Sequence, residues 1–139
     1  MNQKLRKTVI AGNWKMNKDP EEAGKLVRAI LPHVQGAGCE VIVCVPYVDL
    51  FPVLEAAKGS SLGVGAQNCH WAPSGAFTGE ISAPMLSSIG VQYVIIGHSE
   101  RRTYFGETDK TVNQRIRAAL DSGLNVILCV GESLEQREE

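Results

Sequence analysis

Residues 92–102 read QYVIIGHSERR, and this stretch decides the fold class. A short, continuous run of Val and Ile ends at Gly97, a histidine follows, and the polar segment 99–102 has the composition of a helix start. A continuous apolar run of this length is typical of a strand covered on both faces, as in parallel sheets. The stretch therefore predicts a β-strand that leads directly into a helix, with polar residues between them.

The same pattern recurs along the chain. Four further short runs rich in Val and Ile occur at residues 8–12, 40–45, 62–66 and 125–130. Segments with helical spacing lie between the runs, and the first of them opens with an N-cap, a proline and a capping-box glutamate at residues 19–22. The apolar faces predicted for the next three helices are Leu50, Phe51, Val53, Leu54 and Ala57, then Met85, Leu86 and Ile89, then Val112, Ile116, Ala119 and Leu120.

These repeated βα units predict an α/β fold with right-handed crossovers and a parallel sheet. We expect one domain over residues 1–139, with no linker or low-complexity tract. Two architectures fit about four and a half βα units. One is a doubly wound open sheet, which is complete with five strands, and the other is part of a (β/α)8 barrel of about 250 residues. Periodicity alone does not distinguish them.

The composition is that of an ordinary globular protein, with 44% hydrophobic residues, 21% charged residues and a net charge of -1. Such a charge gives no reason to expect nucleic acid or an anionic membrane as a partner. No apolar stretch approaches the roughly 20 residues of a membrane span, and we predict no signal peptide. The four cysteines (Cys39, Cys44, Cys69 and Cys129) form no CxxC pair, which favours buried thiols in a cytoplasmic protein over disulfides or a metal site.

Polar residues cluster just after several of the predicted strands. In both architectures this edge of the sheet binds ligands. The residues concerned are Asn13 and Lys15 after the first strand, Gln67 and Asn68 after the third, His98, Ser99 and Glu100 after the fourth, and Glu132 after the fifth.

Two of these residues suggest a chemistry. Lys15 carries a compact charge suited to a phosphate or a developing oxyanion, although a surface lysine is the simpler alternative. His98 lies at a helix start, where the positive end of the helix dipole disfavours imidazolium. A neutral imidazole there can donate an N–H to a carbonyl oxygen, and the alternative is a structural histidine. Neither a GxGxxG or Walker motif nor a metal-ligand spacing is present, so we predict no cofactor and no metal.

The loop over residues 68–80 is long, and we expect it to expose Trp71 and Phe77 as a contact surface. The alternative is a loop folded onto its own domain. Arg101 and Arg102 are predicted to form ion pairs rather than to bind a ligand.

Five segments together resemble the triosephosphate isomerase family. They are AGNWKMN (11–17), GAQNCHW (65–71), GAFTGEIS (75–82), VIIGHSERR (94–102) and LCVGE (128–132). The resemblance spans the chain and implies the N-terminal part of a TIM (β/α)8 barrel, truncated after the fifth strand. It also implies the interconversion of dihydroxyacetone phosphate and glyceraldehyde 3-phosphate in glycolysis and gluconeogenesis, by a cytoplasmic homodimer without a cofactor.

The resemblance assigns roles to individual residues. Asn13 and Lys15 correspond to the substrate-binding pair, with Lys15 facing the phosphate and the enediolate. His98 corresponds to the electrophile that polarises the carbonyl and shuttles protons. Glu100 corresponds to the acid behind that histidine, and Ser99 lies between them.

Three more positions match supporting features of the family. Thr78 lies in the loop over residues 68–80, which in the family forms the dimer interface and reaches the partner's active site. Gln67 belongs to the same supporting region, and Cys129 matches a buried cysteine near the site.

The resemblance places the catalytic base, a glutamate after a sixth strand, beyond Glu139, together with a lid and two phosphate-binding loops. We therefore expect the chain alone to have almost no isomerase activity. Open sheet edges predict self-association or pairing with a complementary C-terminal piece. The alternatives are a non-catalytic half-barrel module and another phosphosugar barrel enzyme such as an epimerase, against which the NWKMN and HSERR segments argue.

Overall fold

The computed structural model describes residues 5–139. Its strands are β1 (Val9–Asn13), β2 (Glu40–Val45), β3 (Gly63–Ala66), β4 (Tyr93–Ile96) and β5 (Asn125–Leu128). Its helices are α1 (Pro20–Val34), α2 (Leu50–Ala57), α3 (Ala83–Ser88), α4 (Ser99–Tyr104), α5 (Asp109–Asp121) and α6 (Leu134–Glu138). Each strand coincides with one of the predicted apolar runs to within two residues at either end, so the predicted α/β alternation is confirmed.

The five strands form one parallel sheet in the order β1-β2-β3-β4-β5. In its register Val43 lies beside Val64, and Val94 lies beside Val126. A doubly wound sheet reverses its strand order at a switch point, whereas here each new strand is added on the same side of the previous one. The strand order therefore excludes the doubly wound alternative and confirms the barrel-type topology.

The two faces of the sheet have different surroundings. The helix-covered face contributes alternate strand residues to the larger core, namely Val43, Val45, Val64, Ala66, Val94 and Ile96. The other face carries a small cluster of Ile42, Cys44 and Ile95, bordered by Tyr93, Ile127 and Cys129. Helices pack on one face only, as in a curled half-barrel whose strands line the interior.

The helix starts follow the local chemistry that the sequence predicted. Asp19 caps α1 by accepting a hydrogen bond from the Glu22 amide at 2.9 Å, and the Glu22 side chain accepts one from the Asp19 amide at 3.1 Å. Thr108 and Thr111 form the equivalent pair at the start of α5. These caps fix where the chain turns away from the sheet and so hold the strand ends in place.

Three residues predicted for buried helix faces are exposed instead, and these predictions were wrong. They are Phe51, Met85 and Leu120. The buried residues of α2 are Leu50, Val53 and Ala57. Phe51 follows Leu50 and is therefore rotated by about 100° from that stripe. The helices touch the sheet along narrow stripes, so apolar residues one position away remain in solvent.

All four cysteines are free thiols. Cys44 and Cys69 are buried as predicted, whereas Cys39 and Cys129 are only half-buried. Burial raises the pKa of Cys44 to about 12 and that of Cys69 to about 11, so both thiols stay protonated and unreactive. Within residues 5–139, no helix has the length and apolar character needed to cross a membrane.

Candidate active site

The ends of three strands meet around a cavity of about 240 Å³. Asn13 is the last residue of β1, and Lys15 follows two positions later. Gln67 comes directly after β3, while His98 and Glu100 lie where β4 passes into α4. All five line the cavity. Asn68 lines it as well, so the structure brings together six of the strand-end residues that the sequence singled out, from three separate βα units.

Lys15 and Glu100 form an ion pair across this cavity. The Lys15 Nζ lies 2.5 Å from the Glu100 Oε1. This hydrogen bond lowers the pKa of Glu100, burial works against the shift, and the charge of Lys15 adds to the lowering. Glu100 is therefore ionised, and it holds the lysine ammonium beside the first turn of α4.

His98 is oriented by the backbone of the following helix. The Glu100 amide donates a hydrogen bond to the His98 Nδ1 at 3.1 Å, and the Glu100 Oε2 lies 3.6 Å from the same nitrogen. Because Nδ1 accepts this hydrogen bond, the N–H donor of the ring is assigned to Nε2. The neutral, N–H-donating state that the sequence predicted for this histidine stays a prediction.

The backbone of Lys15 adopts an unusual conformation. Its φ angle is +57°, in the left-handed region that residues with a Cβ seldom occupy. Its amide donates to the Asn13 Oδ1 at 3.0 Å, and its carbonyl accepts from the Gln67 Nε2 at 2.8 Å. Both sides of the residue are thus held by side chains from the same cavity.

Ser99 and Cys129 lie around a neighbouring cavity of about 520 Å³ between the ends of β4 and β5. His98 lines both cavities, whereas Ser99 does not line the one that holds Lys15. Glu132 also borders the second cavity and pairs with Arg137, with 2.8 Å between the Glu132 Oε1 and the Arg137 Nε. Ser99 is therefore separated from the lysine side of the site.

Tyr47 also lines the cavity, although the sequence did not predict it. Its hydroxyl donates to the Asn68 carbonyl oxygen at 2.7 Å, and burial raises its pKa well above the usual range. Tyr47 follows β2 by two positions. Lys15 likewise follows β1 by two positions, so the same position after β2 is the sequence signal for Tyr47.

The predicted ion pairs of Arg101 and Arg102 are confirmed. The Arg101 Nε contacts the Glu107 Oε2, and the Arg102 Nη1 lies 2.7 Å from the Asp109 Oδ1. The Arg102 Nε also donates to the Gly97 carbonyl at 3.0 Å. Arg101 borders the first cavity, but its charge is already matched by a buried carboxylate.

The loop over residues 68–80 is anchored at its start. The Arg115 Nη1 donates to the Cys69 carbonyl at 2.7 Å, and its guanidinium carbon lies 5.0 Å from the Trp71 ring centroid. Trp71 is therefore half-buried, and the expectation that it is exposed was wrong because a cation from α5 covers its ring. Phe77 is 43% exposed, and Thr78 is exposed without lining the first cavity.

No group of three or more His, Cys, Asp or Glu side chains within residues 5–139 could hold a metal ion. Among the residues that line the first cavity, Glu100 is the one carboxylate, and it is paired with the Lys15 ammonium.

The chain is similar to known proteins along almost its whole length. The triosephosphate isomerase family model matches residues 8–139. The triosephosphate isomerase of Acetivibrio thermocellus is 61% identical over 134 residues, which are 96% of this chain and 53% of that protein. That of a Synechococcus strain is 55% identical over 141 residues, covering 97% of this chain and 55% of the relative.

A solved structure shows the same fold. The crystal structure of triosephosphate isomerase from Bartonella henselae matches with a TM-score of 0.89 and 44% sequence identity, covering 96% of this chain and 55% of the other. The chain thus spans about half the length of the relatives it matches. Its five strands correspond to the N-terminal strands of a TIM barrel. With matches of this extent, the chain belongs to the triosephosphate isomerase family.

Proposed function

We propose that this chain supplies the electrophile and the substrate-binding lysine for interconverting dihydroxyacetone phosphate and glyceraldehyde 3-phosphate. The observation that carries the proposal is that His98, whose Nδ1 accepts a backbone hydrogen bond, shares one cavity with the Lys15–Glu100 pair. The family reaction would place the activity in glycolysis and gluconeogenesis, and a cytoplasmic location is part of the same proposal.

The proposed chemistry uses hydrogen bonding and charge. The Nε2–H of His98 donates to the substrate carbonyl oxygen, and the bond strengthens as negative charge develops there in the enediolate. The ammonium of Lys15 complements the phosphate and the same developing charge. Asn13 contributes indirectly, because its Oδ1 accepts a hydrogen bond from the Lys15 amide.

Glu100 is unsuited to remove the α-proton. Its pKa is lowered and one of its oxygens is engaged by Lys15, so it is a weak base. The resemblance places the catalytic glutamate after a sixth strand, outside these 139 residues. We therefore propose that a polypeptide of these 139 residues alone binds and polarises the substrate but turns it over almost not at all.

The test is an isomerase assay of the chain alone and after mixing with a second polypeptide carrying the remaining length of the Acetivibrio thermocellus relative. We expect negligible activity alone and measurable activity in the mixture. His98→Gln should lower the recovered activity by about 100-fold or more, because a positioned hydrogen-bond donor is lost. The matched control is His33→Gln on an exposed position of α1.

Two outcomes would overturn the proposal. One is rapid turnover by the 139-residue chain alone, which would mean that a base is present within it. The other is recovered activity that His98→Gln leaves intact, which would assign the electrophile to another residue.

We also propose that the loop over residues 68–80 forms a homodimer contact, with Thr78 reaching toward the partner's site. Arg115 fixes the start of this loop, and Phe77 remains partly exposed beyond it. A rigid loop with an exposed aromatic tip is suited to docking, because little order has to be gained on binding.

An assembly role without catalysis is a second candidate, and the open sheet edges favour it. Ile10 on β1 is 58% exposed, and Leu128 on β5 is also exposed. If the mixture with the remaining length forms a stable complex that shows no isomerase activity, this second candidate replaces the first.

A further inference from the structure

We infer that Gln67 is a positioning residue that holds the backbone of Lys15 in its left-handed conformation and so directs the lysine ammonium toward Glu100. The inference deepens the proposed function, on which its catalytic meaning rests. The geometric relation between the three residues can be tested without any catalysis.

The starting point is the backbone of Lys15. A lysine at φ +57° is strained, since its Cβ approaches the backbone too closely in the left-handed region. Such a conformation persists only where neighbouring groups hold it. Two side chains do so here, the Asn13 Oδ1 at the amide and the Gln67 Nε2 at the carbonyl.

Gln67 connects Lys15 to the sheet. Its side-chain nitrogen has two N–H groups and makes two contacts, 2.8 Å to the Lys15 carbonyl and 3.1 Å to the Cys44 carbonyl. Cys44 is fully buried in β2 and paired with Gly65 in the sheet. The amide therefore ties Lys15 to β2 through a residue 52 positions away in the chain, whereas Asn13, the last residue of β1, is only two positions from Lys15.

The ion pair itself does not provide this restraint. The side chains of Lys15 and Glu100 are 52% and 42% exposed, and ion pairs between such exposed groups contribute little to stability. A weak, solvent-screened contact is insufficient to impose a strained backbone on one of its partners. The conformation must come from the two contacts to the Lys15 backbone, and of these the one from Gln67 joins Lys15 to a distant part of the chain and, through the Cys44 carbonyl, to β2.

The test is an NMR titration of the Glu100 carboxyl carbon in the 139-residue chain. In the wild type, the Lys15 hydrogen bond keeps the pKa of Glu100 below its usual value of 4.5. In Gln67→Met, which lacks both donors, we expect this pKa to rise toward 4.5, in the same direction as in Lys15→Met. A pKa of Glu100 that stays at the wild-type value in Gln67→Met would overturn the inference.

Gln92 provides a matched control. Its Oε1 accepts a hydrogen bond from the Val64 amide at 3.3 Å, so it too links β3 to a neighbour through a side-chain amide. It does not line the cavity. Gln92→Met should leave the titration of Glu100 unchanged. If both variants shift it equally, the effect is general loosening of the sheet, and the inference fails.

A measurement on the wild-type chain covers the case in which Gln67→Met does not fold. A long-range HNCO spectrum should show scalar coupling from the Gln67 side-chain nitrogen to the Lys15 carbonyl carbon through the hydrogen bond, and its absence would overturn the inference. The isomerase assay is independent of both measurements. If the lowered pKa of Glu100 is lost in Gln67→Met while the wild-type mixture recovers no isomerase activity, the positioning role is supported and the proposed function is refuted.

Discussion

Asp49 shows at the scale of one residue how burial and charge conflict. Its side chain is fully buried, and neither carboxyl oxygen has a hydrogen-bond partner in the structure. Burial raises its pKa, and the nearby charges of Asp19 and Glu22 at the start of α1 raise it further. The folded chain therefore binds the Asp49 proton more tightly than the unfolded chain does.

This linkage predicts a pH-dependent gain in stability for Asp49→Asn. Between the unfolded pKa of 3.8 and the higher folded pKa, the folded state holds more protons, so wild-type stability falls as the pH rises. Asparagine has the same shape and no charge. We expect the variant to equal the wild type below pH 3.8 and to be more stable by about 1 kcal/mol or more at neutral pH.

Urea unfolding at several pH values measures the effect. Asp121→Asn, at an exposed position at the end of α5, is the control and should show no comparable trend. A variant whose advantage is constant across the pH range would show that Asp49 is not the linked group.

The sequence predicted Lys15 and His98 but not Asp49, and the reason is physical. Residues that follow a strand have their position set by the strand itself, because all carboxyl ends of a parallel sheet lie at one edge. The burial of Asp49 depends on how α1 packs against the segment before α2, which involves side chains far apart in the chain. No local pattern encodes that contact.

At the scale of elements, a buried charge network joins α4, α5 and the loop over residues 68–80. Glu107 is almost completely buried and contacts Arg101, while its Oε1 lies 3.3 Å from the Arg115 Nε. Arg115 in turn donates to the Asn68 Oδ1 at 3.3 Å and to the Cys69 carbonyl at 2.7 Å. One carboxylate thus contacts two guanidinium groups, and one of these, that of Arg115, fixes the start of the loop.

Glu107→Gln is predicted to destabilise the chain by about 3 kcal/mol, because it leaves the buried Arg115 and the half-buried Arg101 without this counter-charge. Thermal or urea unfolding measures the loss. Asp109→Asn is the matched control: it removes the carboxylate that pairs with Arg102, but this side chain is 98% exposed and the change should be much smaller. Equal effects of the two substitutions would show that burial of the network is not its source of stability.

Element positions were well predicted, and helix faces less so. The runs of Val and Ile located the strands because burial on both faces demands continuous apolar sequence. Helix faces depend on which stripe meets the sheet. In α5 the buried stripe includes Arg115 beside Val112 and Ala119, and Leu120 points away from it. Hydrophobicity predicts Val112 and Ala119 on this stripe, but it does not predict Arg115 between them, because that residue is charged.

At the scale of the whole molecule, the strand order decided between two architectures that share their local patterns. Both contain the same βα units, and they differ only in the side on which each new strand is added. That choice is made by backbone hydrogen bonds between strands such as β1 and β2, whose paired residues Val9 and Glu40 are 31 positions apart in the chain. The five segments resembling a known family supplied this long-range information, which periodicity lacks.

The open sheet gives the last prediction. In residues 5–139, β1 and β5 each have one strand neighbour, and edge strands with free backbone groups pair readily with other chains. We expect the 139-residue chain to self-associate at micromolar concentrations, as measured by light scattering. Ile10→Lys places a charge on an edge strand and should reduce the association, whereas Leu120→Lys, on α5 away from the edges, should not. A monodisperse monomer with a cooperative calorimetric melt would contradict the prediction, since it would show that these edges are satisfied within a single chain.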